Sequence, residues 1–509
     1  MKKLIVFFTL FLVSFSWGKT YVLLVGIDDY KYQNRLYGAV NDIEAIETLF
    51  KNKDAKIFKL TNKKATKNNI LYTLNTIENK LKKGDRFYFF YSGHGTGYKD
   101  LGFSYGYPSE LEYSGAIIPY DGNTSTPATA LNTLIWGYKD LKPILSKIDE
   151  KGVLSFIFFD SCFAGFTVRS LPIEGNSRTI PLPANIEKFL EQETEIPPYS
   201  YKNIIYGAAS TNFEVAKEIP MIHRGYFSFY LEKAFKGDAD FNKDGQITKK
   251  ELENYFLRNI DKIPSTPIIY PEKSAKDIAV FYLYKNLSKP QKSSKFPKIY
   301  LENTDSSYFE DFYVINKMED ADFTVKENNG LYTLIYGLNM IIMKTDNISR
   351  IKDYINSFKL FLVKNETSKT LQIQILKNKT PVKQLKIGET GTLQLYDINP
   401  SYLFIFSMDK EGNMYLLEPV QFSSLKKVNG IEFEVFADKP VGVEFIKVFS
   451  VYDKGLSDMI LNELKKISKQ DKRSESFIVD KNRLKNLIKI LQSNKNKWTD
   501  VLYPFISYE

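Results

Sequence analysis

Residues 153–162 read VLSFIFFDSC. VLSFIFF is a continuous run rich in β-formers, and it predicts a strand buried on both faces, as in a parallel sheet covered by helices. The run stops at Asp160-Ser161-Cys162. The pattern recurs at residues 86–95, RFYFFYSGHG, where a strand over 86–91 ends in Ser92-Gly93-His94-Gly95. Cys162 and His94 each stand three residues past the last residue of their apolar run.

Working outward, residues 21–27 (YVLLVGI) predict a strand of the same kind, and 203–206 begin a fourth. Between them a helical pattern opens at Asn41-Asp42, with Ile43, Ala45, Ile46, Leu49 and Phe50 as its apolar positions. Further helices are predicted over 68–82, stopped by Gly84, and over 139–148. Strands alternating with helices imply an α/β fold, a mostly parallel sheet flanked by helices with right-handed crossovers. Functional groups gather beyond the carboxyl ends of such strands, where both Cys162 and His94 fall. A long polar segment, 167–202, precedes the fourth strand, and loops of that length are usually functional or disordered.

The 509 residues exceed one ordinary core, and 43% apolar with 26% charged residues is a globular composition. The net charge of +10 is spread along Lys-rich stretches, without an Arg cluster interleaved with stacking aromatics, so nucleic-acid binding is not expected. Met1-Lys2-Lys3, an apolar run over 4–13 and Ser16-Trp17-Gly18 have the layout of a secretory signal peptide, 1–18. The expectation is export to a periplasmic or extracellular compartment with no membrane span in the mature chain; an uncleaved N-terminal anchor is the alternative. With one cysteine, Cys162, no internal disulfide can form, and with two histidines, His94 and His223, Cys/His chemistry has few candidates.

A thiolate attacks a carbonyl well, and a nearby imidazole both activates the thiol and protonates the leaving amine. The oxyanion that develops needs fixed N–H donors, which tight Gly-containing turns supply. SGHG after one strand and DSCFAG after another meet those needs.

In order along the chain stand YVLLVGIDDY, LYGAVND, FYFFYSGHG, FIFFDSCFAG, YGAASTNFEVAKE and GYFSFYLEKAFKGDAD. Together, over about 270 residues, these resemble the caspase-like domain of bacteria and the metacaspases. Asp160-Ser161 departs from the Gln-Ala that precedes the cysteine in animal caspases, and Phe163 stands where many metacaspases carry His. The resemblance implies a cysteine endopeptidase with Cys162 as nucleophile and His94 as general acid/base. It implies an oxyanion hole from the N–H groups of Cys162 and Gly95. It also implies an acidic specificity pocket of Asp42, Asp160 and Ser92, hence protein or peptide substrates cleaved after Arg or Lys. Asp42 equally suits a helix N-cap, and Asp160 a turn at a strand end. Arg169 and Arg178, in the segment after the cysteine, are candidates for self-cleavage as in related zymogens, or ordinary loop arginines. His223 lies outside the motifs and reads as an ordinary histidine.

Residues 240–251, DFNKDGQITKKE, fit the EF-hand loop pattern. Ca2+ ligands would come from Asp240, Asn242, Asp244, the carbonyl of Gln246, Thr248 and bidentate Glu251, with Gly245 allowing the turn. Helices are expected over 226–235 and 249–258.

A polar, Pro-bounded linker over 288–297 ends the peptidase domain of 19–287. Beyond it a small α+β segment is expected over 298–365, with a helix near 348–362. A β-rich, sandwich-like accessory domain over 366–450 and a helical, Lys-rich tail over 451–509 follow. Residues 383–447 resemble a β-rich domain of unknown function that often follows bacterial caspase-like domains, which implies no catalytic residue and suggests recognition of an unknown partner. Two other functions remain compatible with the sequence: a catalytically silent caspase-fold binding protein, and a peptide ligase that resolves the same thioester with an amine.

Overall fold

The computed structural model describes residues 18–51, 53–97, 115–161, 201–210, 216–270, 277–283, 297–338, 340–365, 371–377, 380–382, 384–419, 421–423, 425–437, 442–470 and 476–508. Cys162, Arg169 and Arg178 lie outside them, as does most of the predicted signal peptide.

Strands of the first half are β1 (Thr20–Gly26), β2 (Ala55–Thr61), β3 (Arg86–Ser92), β4 (Gly95–Gly97), β5 (Gly115–Ile117), β6 (Ile135–Trp136), β7 (Leu154–Asp160), β8 (Ile204–Ala208), β9 (Glu218–Ile219), β10 (Arg224–Gly225), β11 (Gln246–Thr248), β12 (Ile268–Tyr270) and β13 (Ala279–Tyr282). Helices are α1 (Ala39–Thr48), α2 (Lys67–Lys80), α3 (Pro127–Thr133), α4 (Lys142–Glu150), α5 (Tyr226–Lys233) and α6 (Lys249–Arg258).

Six strands form one sheet in the order β12-β8-β7-β3-β1-β2, parallel except for β12 at its edge. The expected α/β fold is therefore present. The central strands β1, β3 and β7 are buried almost throughout, which is why their sequences run apolar without alternation. One face packs on α1 and α5 through Ile43, Ile46, Phe227 and Leu231, the other on α2 and α4 through Leu74, Ile77, Leu145 and Ile148. The register pairs Gly26 with Ser92 and Ser92 with Asp160, so these three strands end side by side.

The 298–365 region forms a five-stranded sheet with a helix, Ile348–Ser357. A ten-stranded sheet follows, organised by the long strand Thr390–Met408. The first part of that strand pairs with Leu371–Lys377 and Lys427–Phe436, the second with Met414–Glu418 and Gly442–Val451. The 451–509 tail corrects the expectation of a helical segment: the helices Lys454–Ile467 and Lys485–Ser493 are separated by the short paired strands Ser468–Gln470 and Phe477–Val479. Trp498–Tyr508 is an eleven-residue strand paired along Gly442–Val451. Its aromatic and β-branched residues are buried as far as Ile506, a composition suited to a sheet. One hydrophobic core runs through all three of these segments, joining Phe323, Ile351 and Phe358 to Phe404, Phe445, Leu456, Leu487 and Trp498.

The two halves meet through buried polar groups at the end of α6. Asp261, fully buried, accepts the Tyr336 hydroxyl and lies 3.5 Å from Lys364. Lys262 pairs with Asp322 at 3.0 Å, and Lys364 donates to the Arg258 carbonyl at 2.9 Å. Burial, the largest single influence, would raise the Asp322 carboxyl; the Lys262 charge and hydrogen bond, the Lys298 amide and the Lys364 charge together outweigh it and hold that carboxyl below its ordinary value.

Candidate active site

His94 sits just past β3, 1% exposed. Its backbone is gripped from three directions. Its N–H donates to Tyr30 Oη at 2.7 Å, and its carbonyl accepts Tyr91 Oη at 2.6 Å and the Ile118 amide at 3.0 Å. The Tyr30 ring lies 4.8 Å from the imidazole, centroid to centroid. Ring Nε2 lies 2.8 Å from the carbonyl oxygen of Asn34. A carbonyl only accepts, so Nε2 carries the proton and Nδ1 is the basic nitrogen of the neutral ring. The turn requires Gly93, since a Cβ there would stand 2.5 Å from Tyr30 Oη and 2.7 Å from Tyr91 Oη. Gly95, the expected oxyanion donor beside Cys162, directly follows His94 and opens β4.

Asp42, Ser92 and Asp160 come together at the same sheet edge. Asp42 is fully buried; its Oδ2 accepts Ser92 Oγ at 2.7 Å, and both oxygens accept the Gly225 amide at 2.9 and 3.0 Å. Asp160 Oδ2 accepts the Ser228 amide at 2.8 Å. Both carboxylates are thus met by the amino-terminal end of α5, where unpaired amides and the helix dipole favour negative charge. Asp42 is not the cap of α1. That position is Gly38, and the free amides of α1 are met by Asp28, through Ala39 and Val40, and by Glu218, through Gly38.

Arg224, which sequence reasoning did not single out, reaches this edge from β10. Its Nε donates to Asp42 Oδ1 at 2.7 Å and its Nη1 to Glu232 Oε2 at 2.9 Å; Glu232 also meets Lys236 at 2.5 Å. Burial would raise the Glu232 carboxyl, but Arg224 and Lys236 hold it below its ordinary value. Burial likewise opposes charge on Arg224, and Asp42 and Glu232 push its pKa up instead. No local signal pointed to Arg224, because its partner stands 182 residues away. His223 beside it is exposed, and its carbonyl accepts Asn41 Nδ2 at 3.0 Å.

The 240–251 loop lies between α5 and α6. Asp240 accepts the Asp244 and Gly245 amides, each at 3.1 Å, and Asp244 accepts that of Gln246 at 2.8 Å. Glu251 turns back across the loop, its Oε2 accepting the Thr248 amide at 3.0 Å and its Oε1 the Asn242 amide at 3.4 Å. Gly245 takes φ +84°, and Ile247 is fully buried. Among the described residues no three of His, Cys, Asp and Glu form a metal-holding cluster by themselves. The loop's donors are all oxygens, with Asn242, Thr248 and the Gln246 carbonyl joining three carboxylates, and that donor set suits a hard cation.

Residues 19–262 match the family model of the caspase domain. Metacaspase-1 of Lodderomyces elongisporus is 29% identical over 183 residues, 34% of this chain and 38% of that protein, so the match spans under two-fifths of the relative's length. A crystal structure of a Geobacter sulfurreducens protein aligns with 52% of this chain and all of its own, at 17% identity and a TM-score of 0.39. Residues 19–262 thus carry a caspase-like domain, similar to those of the caspase and metacaspase cysteine peptidases. Among the described residues, no helix is long and apolar enough to cross a membrane.

Proposed function

We propose that this chain is an exported endopeptidase that cleaves proteins after Arg or Lys by way of a Cys162 thioester. The observation that carries the reading is Ser92 Oγ bonded to Asp42 at 2.7 Å, with Ser92 in register beside Asp160 and two residues before His94. Two buried carboxylates next to the catalytic turn suit a cationic side chain.

His94 Nδ1 takes the Cys162 proton, and the sulfur attacks the scissile carbonyl carbon. The amides of Gly95 and Cys162 receive the negative oxygen. His94 then protonates the departing amine as the C–N bond breaks, leaving a thioester. Water, deprotonated by His94, releases the acid and restores the thiol. The Asn34 carbonyl accepts from Nε2 throughout, holding the tautomer and favouring the transient imidazolium.

Ca2+ would be held by Asp240, Asn242, Asp244, Gln246, Thr248 and Glu251, where it supplies charge that fixes the loop between α5 and α6. Self-cleavage at Arg169 or Arg178 and partner recognition by residues 366–450 complete the reading. An arginyl thiol-reactive peptide probe tests it: Cys162, the sole cysteine, becomes labelled, and His94→Ala suppresses labelling. Folded protein that resists the probe favours the silent binding protein.

A further inference from the structure

The chain places a guanidinium of its own on the carboxylate that the proposed function reserves for substrate. Arg224 Nε holds Asp42 Oδ1 at 2.7 Å, while Ser92 Oγ and the Gly225 amide take the remaining contacts described for that carboxylate. A substrate cation arriving at Asp42 therefore meets the position Arg224 fills. The hold on Arg224 is incomplete: Nη2 is buried and has no hydrogen-bond partner among the described residues. Glu232 keeps a second cation, Lys236 at 2.5 Å, whenever Arg224 departs. The side chain is 13% exposed and springs from β10, a strand of only two residues, so its tip is held chiefly by these carboxylates.

We propose that Arg224 is an internal occupant of the acidic pocket, which a substrate Arg or Lys must displace from Asp42, so that Arg224 sets the affinity threshold for basic substrates. The inference rests on the reading of Asp42 and Asp160 as that pocket. Exchanging one guanidinium for another on Asp42 gains little, and only the fraction of molecules with Arg224 released binds substrate directly. Apparent affinity is reduced by that fraction. Lysine, a point charge without the planar fork, competes less well than arginine.

The test compares full-length wild type, Arg224→Ala and Glu232→Gln on peptides ending in Arg, Lys or Asp. Glu232→Gln loosens Arg224 without touching Asp42, and it serves if Arg224→Ala fails to fold. Both variants are expected to lower KM for Arg and Lys peptides, by about tenfold where the vacant fraction rises about tenfold, with the gain in KM rather than kcat. Added ethylguanidinium should inhibit Arg224→Ala competitively. If Arg224 only supports the fold, KM rises or kcat falls in both variants, and ethylguanidinium restores rate to Arg224→Ala; that result overturns the inference and leaves the basic pocket standing. If no variant cleaves after Arg or Lys, and Asp peptides are cleaved by wild type alone, the pocket reading falls and the inference with it.

Discussion

The His94 imidazole donates from Nε2 to the main-chain carbonyl of Asn34 at 2.8 Å, so a backbone oxygen 60 residues earlier selects the tautomer of the ring. The rest of the turn serves the same end. Gly93→Ala would push a methyl group against two hydroxyls, both already hydrogen-bonded at 2.6–2.9 Å. We expect a loss of about 1–3 kcal/mol in stability from overpacking. Tyr30→Phe leaves the His94 amide without its acceptor and should cost about 1–3 kcal/mol. Both variants should also lower kcat, read beside denaturant unfolding.

Asp42→Asn keeps the shape of a buried side chain but removes the charge facing Arg224. Breaking one partner of a buried pair should cost about 3–5 kcal/mol, seen as a lower denaturation midpoint. Glu232 gives the same network a pH signature. Its carboxyl titrates below the ordinary 4.5 in the folded chain, so the unfolded chain binds the proton first as pH falls. Its contribution is complete above about pH 4.5 and is lost as pH drops through the lower folded value. Glu232→Gln should flatten that part of the unfolding profile.

Calcium should raise the unfolding temperature of wild type and not of Glu251→Gln. Glu251 is also the third helical residue of α6, in a capping box with Thr248. Glutamine preserves that box while removing a charged ligand, so the calcium-free stability should change little. A calcium shift equal in both proteins would exclude the loop as its source.

The junction between the halves should behave as part of one folded unit. Asp261→Ala deprives both the Tyr336 hydroxyl and Lys364 of a buried carboxylate. We expect a loss of about 3 kcal/mol, with both halves unfolding earlier by domain-resolved hydrogen exchange. A loss confined to residues 19–262 would contradict the coupling.

Strands β1, β3 and β7 were legible because burial on both faces leaves an uninterrupted apolar run. The edge strand β2, AKIFKLT, is half-exposed and mixes Lys with apolar residues, so no such run marks it. Trp498–Tyr508 hid behind a Lys-rich helical pattern and a proline at 504, although its aromatic content favours a strand. In the site, His94, Ser92, Asp42 and Asp160 announced themselves as motif side chains. The Asn34 carbonyl was invisible because a backbone acceptor has no sequence signature. Arg224, Glu232 and Glu218 were missed because their partners are brought together only by the fold. Nor did the pattern of 298–508 show that its three segments share one core, since pairing between distant strands leaves no local trace.

The most direct test of the account is hydrolysis of fluorogenic peptides ending in Arg, Lys or Asp by wild type and Cys162→Ala, with and without calcium. The account predicts cleavage after Arg and Lys that vanishes in Cys162→Ala. Cleavage after Asp alone, or basic-site cleavage that survives in Cys162→Ala, would contradict it.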